Sequence, residues 1–225
     1  MASPLDLQQQ EQLDALKSFW TRFGTLITWV LIAVLGGLAA WSALDWYKRS
    51  QAVEAAAMFD ALERAAVTGD TARVAQVFAD LRAQYPRTAY AAKGGLVAAR
   101  VQLEPQREAA RAALQWVADE GRIAELREVA RLRLAGVLLD DGRAEDALRV
   151  LDAVALPAFA ALVADRRGDA LLALGRRDEA RAAYQAALAA MSPELDYRQL
   201  VEAKLVALGG APAPAAAAAP AGAAR

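Results

Sequence analysis

The chain contains no histidine, no cysteine and no asparagine. Without histidine and cysteine it lacks the commonest general base, the commonest thiol nucleophile and the usual zinc ligands. Carboxylate, lysine and serine chemistry remain available. The missing cysteine does not choose a redox compartment, because a disulfide-free periplasmic domain and a cytosolic one both fit. Charge of one sign is lacking as well. The 26 basic and 27 acidic residues leave a net charge of −1, and the region after Leu44 holds 24 of each. A neutral domain has no electrostatic footprint for nucleic acid, so none is expected as a partner. What is abundant is apolar residues, at 56%, with alanine prominent among them. Alanine has the best helix propensity, while strand formers here are scattered and short, so an all-α fold is expected.

Phe23 to Leu44 is 22 residues without a charge, closed by Arg22 and Asp45. At ~1.5 Å per residue a helix of this length spans roughly 33 Å, against a hydrocarbon core of about 30 Å. Ten of the residues are Leu, Ile, Val or Phe, which favour insertion by roughly 3–6 kcal/mol. Phe19 and Trp20 lie at one end, with Trp41, Trp46 and Tyr47 at the other, the positions of two interfacial aromatic belts. A buried core helix is the competing reading, but such helices are usually amphipathic. A cleaved signal peptide is another, since Gly37-Leu38-Ala39 offers small residues. The apolar stretch exceeds the ~7–15 residues of a signal peptide, which favours an uncleaved signal anchor in contact with membrane lipid. Lys17 and Arg22 on one side balance Lys48 and Arg49 on the other, so the positive-inside count leaves orientation open. Ala33 and Gly37, like Gly36 and Ala40, are spaced four apart. That spacing makes them a candidate transmembrane contact face, because small residues let a second helix approach closely.

From about Ala52 to Leu208 the chain reads as successive helical hairpins. Leu134-Ala135 leads through Leu138 to Gly142, then to Ala147 and Leu151. One repeat later Arg167-Gly168 leads through Leu171 to Gly175, then to Ala180 and Tyr184. Gly142 to Gly175 is 33 residues, as is Ala147 to Ala180, close to the tetratricopeptide period of about 34. Ala135 and Gly168 fall where two helices of a hairpin touch, and Gly142 and Gly175 fit turns that need a left-handed residue. Leu151 and Tyr184 would fill the space between hairpins. Glu145 and Arg149 are spaced to pair at i, i+4. Two looser hairpins come first: Ala55 to Pro86, with Gly69-Asp70 at the turn and Phe78 as inter-hairpin aromatic, and Gly94 to Gly121, with Pro105 near the turn. An irregular insertion is expected around Gly121–Glu128. A helix over Glu194–Leu208 would cap the stack, as repeat arrays require. The Ala/Pro/Gly-rich stretch 209–225 reads as a disordered tail. The expected organisation is a leader over 1–22, a transmembrane signal anchor over 23–44, a tetratricopeptide-like right-handed hairpin solenoid over 45–208, and the tail.

No catalytic constellation emerges. Five serines and six threonines are scattered without a partnering base, and no Gly-Lys-Ser/Thr pattern follows the Gly-Gly pairs. No catalytic residue, cofactor or metal is expected. Asp165 and Asp169, one helical turn apart, are the best carboxylate pair. They could serve a cation, a basic peptide or carboxylate-dependent catalysis, or simply form a solvated face with Arg166 and Arg167. The concave face of such a stack is the usual peptide-binding surface. Its candidate partner groove comprises Val129, Leu132, Gly136 and Leu139, then Leu162, Asp165, Asp169 and Leu172. Mostly apolar, it would suit apolar or helical segments. Packing against the C-terminal helix is the alternative.

The run Glu11-Gln12-Leu13-Asp14-Ala15-Leu16-Lys17-Ser18-Phe19-Trp20 resembles the leader of the ancillary SecYEG translocon subunits of Gram-negative bacteria. Phe159 to Leu172, followed by Gly175 and Ala180-Arg181-Ala182-Ala183-Tyr184, is similar to that family's C-terminal repeat. Arg131-Leu132-Arg133-Leu134-Ala135 and Leu148…Leu151-Asp152 also match. The resemblance extends from about Leu5 to Leu208. It implies a single-pass bacterial inner-membrane protein with a cytoplasmic N-terminus and periplasmic repeats. It further implies a non-enzymatic role beside the SecYEG channel, with translocating polypeptides and a membrane-anchored prolyl-isomerase-like chaperone as partners. A membrane-anchored scaffold for another envelope machine, for cell division or outer-membrane assembly, is the alternative.

Overall fold

The computed structural model describes residues 4–210, with the side chains of Lys17, 20–26 and 28–210. Among them all regular elements are helices. The leader side chains from Glu11 to Leu16, with Ser18 and Phe19, lie outside the described residues, as does the tail beyond Gly210. By internal contacts the chain divides after Gln51.

The first unit consists of the N-terminal part of α1 (Pro4–Thr68). This helix is long and apolar enough to cross a membrane, with a mean hydropathy of 2.1 over its most apolar stretch. Its large side chains, among them Trp29, Leu31, Leu35 and Leu38, stand exposed. A helix apolar all round requires an apolar surrounding, which a bilayer supplies. Polar groups in it are handled locally: the Thr28 hydroxyl donates to the Gly24 carbonyl at 2.8 Å. Such internal satisfaction is what a water-free environment demands. Asp45 and Arg49 pair one turn apart at 2.6 Å, beside the exposed Trp41, Trp46 and Tyr47.

The second unit begins with the end of α1 and continues through α2 (Thr71–Gln84), α3 (Ala89–Gln102), α4 (Arg107–Glu120), α5 (Ala124–Asp140), α6 (Ala144–Asp152), a 3₁₀ turn at Pro157–Phe159, α7 (Ala160–Ala173), α8 (Arg177–Ala190) and α9 (Tyr197–Ala207). From α2 onward each helix packs mainly on its sequence neighbours, and α3, α5 and α7 also touch in series. This is the stacking expected of helical hairpins.

Local chemistry sets the hairpin turns. Gly69, Gly142, Gly175 and Gly209 have φ between 71° and 77°. The residue after each donates its N–H to a carbonyl five positions back, as Arg143 does to Leu138 at 2.8 Å and Arg176 to Leu171 at 2.9 Å. Left-handed glycine makes this closure possible without a Cβ penalty. Gly209 and Gly210 thus close α9. Among the described residues, helix starts are capped by side chains at two sites: Asp70 accepts from the Arg73 N–H, and Thr88 from that of Ala91. Both leave one fewer unsatisfied donor at the helix start.

The core is built from alanine and leucine at short range. A large cluster runs from Leu62 through Val77, Leu114 and Leu134 to Ala170, and a second joins α7, α8 and α9 around Tyr184 and Val201. Phe78 is buried and meets Trp116 edge-on at 5.7 Å, in the inter-hairpin place expected of it. At Gly168 a Cβ would lie 2.4 Å from the Tyr184 ring. The absence of a side chain there is what lets α7 and α8 pack. Three expectations change, the first being that the capping helix expected from Glu194 begins only at Tyr197. The segment from Gly121 is irregular only as far as Ile123, because the additional residues lengthen α5. Arg149 pairs with Asp146, three residues back, rather than with Glu145.

Candidate interaction groove

The first helices of three consecutive hairpins, α3, α5 and α7, wall a cavity of about 480 Å³. Leu96, Leu103, Leu132 and Leu162 supply its apolar floor, with Gly136 widening the middle. A Cβ added at Gly136 would meet nothing within 4 Å. Leu162, although large and apolar, is 40% exposed. Of the residues expected to form a groove, Leu132, Gly136, Leu162 and Asp165 come together here. Val129 and Leu139 do not line it; like Leu132, they pack partly buried against the main core. Leu172 is exposed but does not line this cavity.

Asp165 and Asp169 are not a solvated face. Asp165 is wholly buried. It accepts from the Lys204 ammonium at 2.8 Å and from the Tyr197 hydroxyl at 2.6 Å. Asp169 accepts from Lys204 at 2.8 Å, from the Tyr184 hydroxyl at 2.8 Å and from Arg166 at 3.2 Å. Burial first, and then the hydrogen bond to Asp165, push the Tyr197 phenol up to about 12. The same order of causes, with Asp169 as partner, raises Tyr184. Buried carboxylates require such partners, since an uncompensated charge is strongly destabilising. The arrangement fastens α9 to α7 and commits both carboxylates to that contact. Lys204, Tyr184 and Tyr197 are its three unforeseen members. No periodic signal links Lys204 to residues more than thirty positions away.

Of the arginines in the groove, the sequence pointed only to Arg166, and to it as a partner of Asp165 and Asp169. Arg100, Arg133 and Arg166 line the same cavity, and each follows the last by 33 residues. Their recurrence is visible in the sequence; their convergence on one surface is not.

A second cavity, of about 510 Å³, lies among α4, α5 and α6. Its charges are largely paired internally: Arg111 with Glu108, Arg131 with Glu128 and Arg143 with Asp146. Among the described residues no carboxylate cluster is arranged to hold a metal ion.

The fold is that of the tetratricopeptide repeat-like class, and the tetratricopeptide repeat-like domain family matches residues 17–210. The chain is 29% identical to the ancillary SecYEG translocon subunit of Neisseria gonorrhoeae over 204 residues, covering 90% of this chain and 98% of that protein. It is 31% identical to the ancillary SecYEG translocon subunit of Escherichia coli, over 79% of this chain and 86% of that one. The subunit of the same name from Haemophilus influenzae is 26% identical over 80% of this chain. No solved structure matches. The chain belongs to the family of ancillary SecYEG translocon subunits.

Proposed function

We propose that this protein is a non-enzymatic accessory subunit of the Sec translocon. It passes newly translocated polypeptides toward periplasmic folding factors through protein–protein contacts. The alignment over 98% of the Neisseria subunit carries this reading, because it includes both the apolar helix and the repeats. In this reading residues 1–22 are a cytoplasmic leader, 23–44 a signal anchor in the inner membrane, 45–208 a periplasmic repeat domain and 209–225 a tail. The groove of Leu132, Leu162 and their neighbours receives a partner: a translocating chain or a membrane-anchored prolyl-isomerase-like chaperone. The small face of Ala33, Gly36, Gly37 and Ala40 meets another transmembrane helix. All four residues are exposed, and a Cβ at Gly36 or Gly37 would meet nothing within 4 Å. Close helix approach needs such an unobstructed strip.

The test is extraction in mild detergent at native expression. Co-purification with the SecYEG channel is expected, and reproducible absence from channel complexes would sink the reading. Orientation is tested by a C-terminal reporter active only outside the cytoplasm. A cytoplasmic result would contradict the assigned topology.

A further inference from the structure

We propose that the α3–α5–α7 groove binds an acidic, apolar polypeptide segment, with its carboxylates held by the ladder of Arg100, Arg133 and Arg166. This rests on the reading of the groove as a partner surface and adds the chemistry of the partner. Three observations carry it. Arg133 and Arg166 occupy equivalent positions of α5 and α7, 33 residues apart, Arg100 lies about one turn further along α3, and all three line one cavity. The floor between them is leucine, so apolar anchors and carboxylates are accommodated together. Among the described residues, neither Arg100 nor Arg133 makes an ion pair, and Arg166 pairs only with Asp169 of its own helix, at 3.2 Å.

The acids bordering the groove are otherwise engaged. Asp165 is held by Lys204 and Tyr197. Asp140 lies 3.4 Å from Arg107. At Arg100 and Arg133 the groove therefore presents cationic charge that the described residues leave uncompensated. Lys93 adds to it in an adjoining recess shared with Phe59, Arg100 and Arg133.

The spacing suits a polypeptide. Packed helices lie about 8–10 Å apart, which sets the scale between Arg133 and Arg166, and Arg100 continues the row with an added shift along α3. A helical segment rises roughly 10 Å in seven residues. A carboxylate at every seventh position, flanked by apolar residues, would meet successive rungs. Guanidinium groups favour this pairing because their planar fork takes a carboxylate through two hydrogen bonds. An anionic bilayer surface would attract the same arginines but could not reach the leucine floor.

The experiment uses the full chain in nanodiscs of zwitterionic lipid. The probe is a fluorescein-labelled helical peptide with leucines on one face and glutamate at every seventh position, read by anisotropy. Its counterpart carries glutamine in place of glutamate. The glutamate peptide is expected to bind roughly tenfold more tightly, since each exposed ion pair is worth up to about fivefold. The Arg100→Gln/Arg133→Gln double variant should erase that preference. The Arg100→Glu/Arg133→Glu double variant should prefer a lysine version of the peptide, a reversal that a merely structural role would not produce. Equal affinity for both peptides overturns the proposal, as does binding of neither. It is also overturned if the arginine variant loses binding to phosphatidylglycerol vesicles while keeping its peptide preference. Gly136→Leu, which fills the groove floor, separates the two levels of the argument. If it weakens binding while the arginine variants change nothing, the groove remains a partner surface and the acidic specificity falls. If neither alters binding, the groove reading itself falls.

Discussion

Two stretches of the same first-helix face treat charge in opposite ways. Beside α9, buried Asp165 and half-buried Asp169 receive Lys204, Tyr197 and Tyr184 from elsewhere in the repeat domain. In the groove, Arg100 and Arg133 stand over leucine with no partner among the described residues. The first arrangement uses charge to fix where the capping helix sits. The second leaves charge available to something outside the domain. Charge at the α9 end should therefore govern stability, and charge in the groove should govern binding.

The strongest way to break this comparison is Lys204→Met. It leaves wholly buried Asp165 with only the Tyr197 hydroxyl, and a loss of about 3–5 kcal/mol is expected in thermal unfolding followed by helical circular dichroism. A loss near that of a surface substitution would mean that α9 is not held by the network. Adding Asp165→Leu and Asp169→Leu to Lys204→Met should recover much of the loss, because no buried charge then remains. Gly168→Ala should cost about 1–3 kcal/mol by the same measurement, as its Cβ would press on the Tyr184 ring.

Alkaline titration sharpens the same end. Tyr197 is pushed up to about 12 from an ordinary value of 10.0 by burial and its bond to Asp165. Its folded form holds the proton longer than its unfolded form. The contribution is therefore complete below pH 10 and lost as pH rises from 10 to 12. Tyr197→Phe should flatten the loss of stability in that window.

Smaller effects are expected in the groove. Gly136→Ala should stabilise by about 0.5–1 kcal/mol, since a helix-interior glycine with open space around it costs conformational entropy without return. Arg100→Gln and Arg133→Gln should each change stability by less than about 0.5 kcal/mol, as at ordinary surface sites. A large loss there would show that these arginines belong to the fold.

Much of the architecture is legible in the amino-acid sequence. The uncharged stretch from Phe23 to Leu44 announces itself by composition. The turns at Gly69, Gly142 and Gly175 follow from the left-handed backbone that only glycine adopts at little cost. Gly168 and Ala135 were identifiable as close contacts because they recur in register with those turns. The groove was half legible. Leu132, Leu162 and Asp165 reach the cavity, while Val129 and Leu139, which pack on the core as Leu132 also does, fall outside it. Helical periodicity places all of them on neighbouring faces but cannot resolve the rotation that separates lining from core.

The amino-acid sequence by itself determined the apolar helix, the hairpin period and the turns, because these depend on residues close together in the chain. Only the tertiary structure decided which charges are consumed and which remain. Lys204 reaches Asp165 across 39 positions, and Arg149 chooses Asp146 over Glu145. Such choices depend on how the helices rotate and stack once alanine and glycine have let them approach, and no local pattern encodes that outcome.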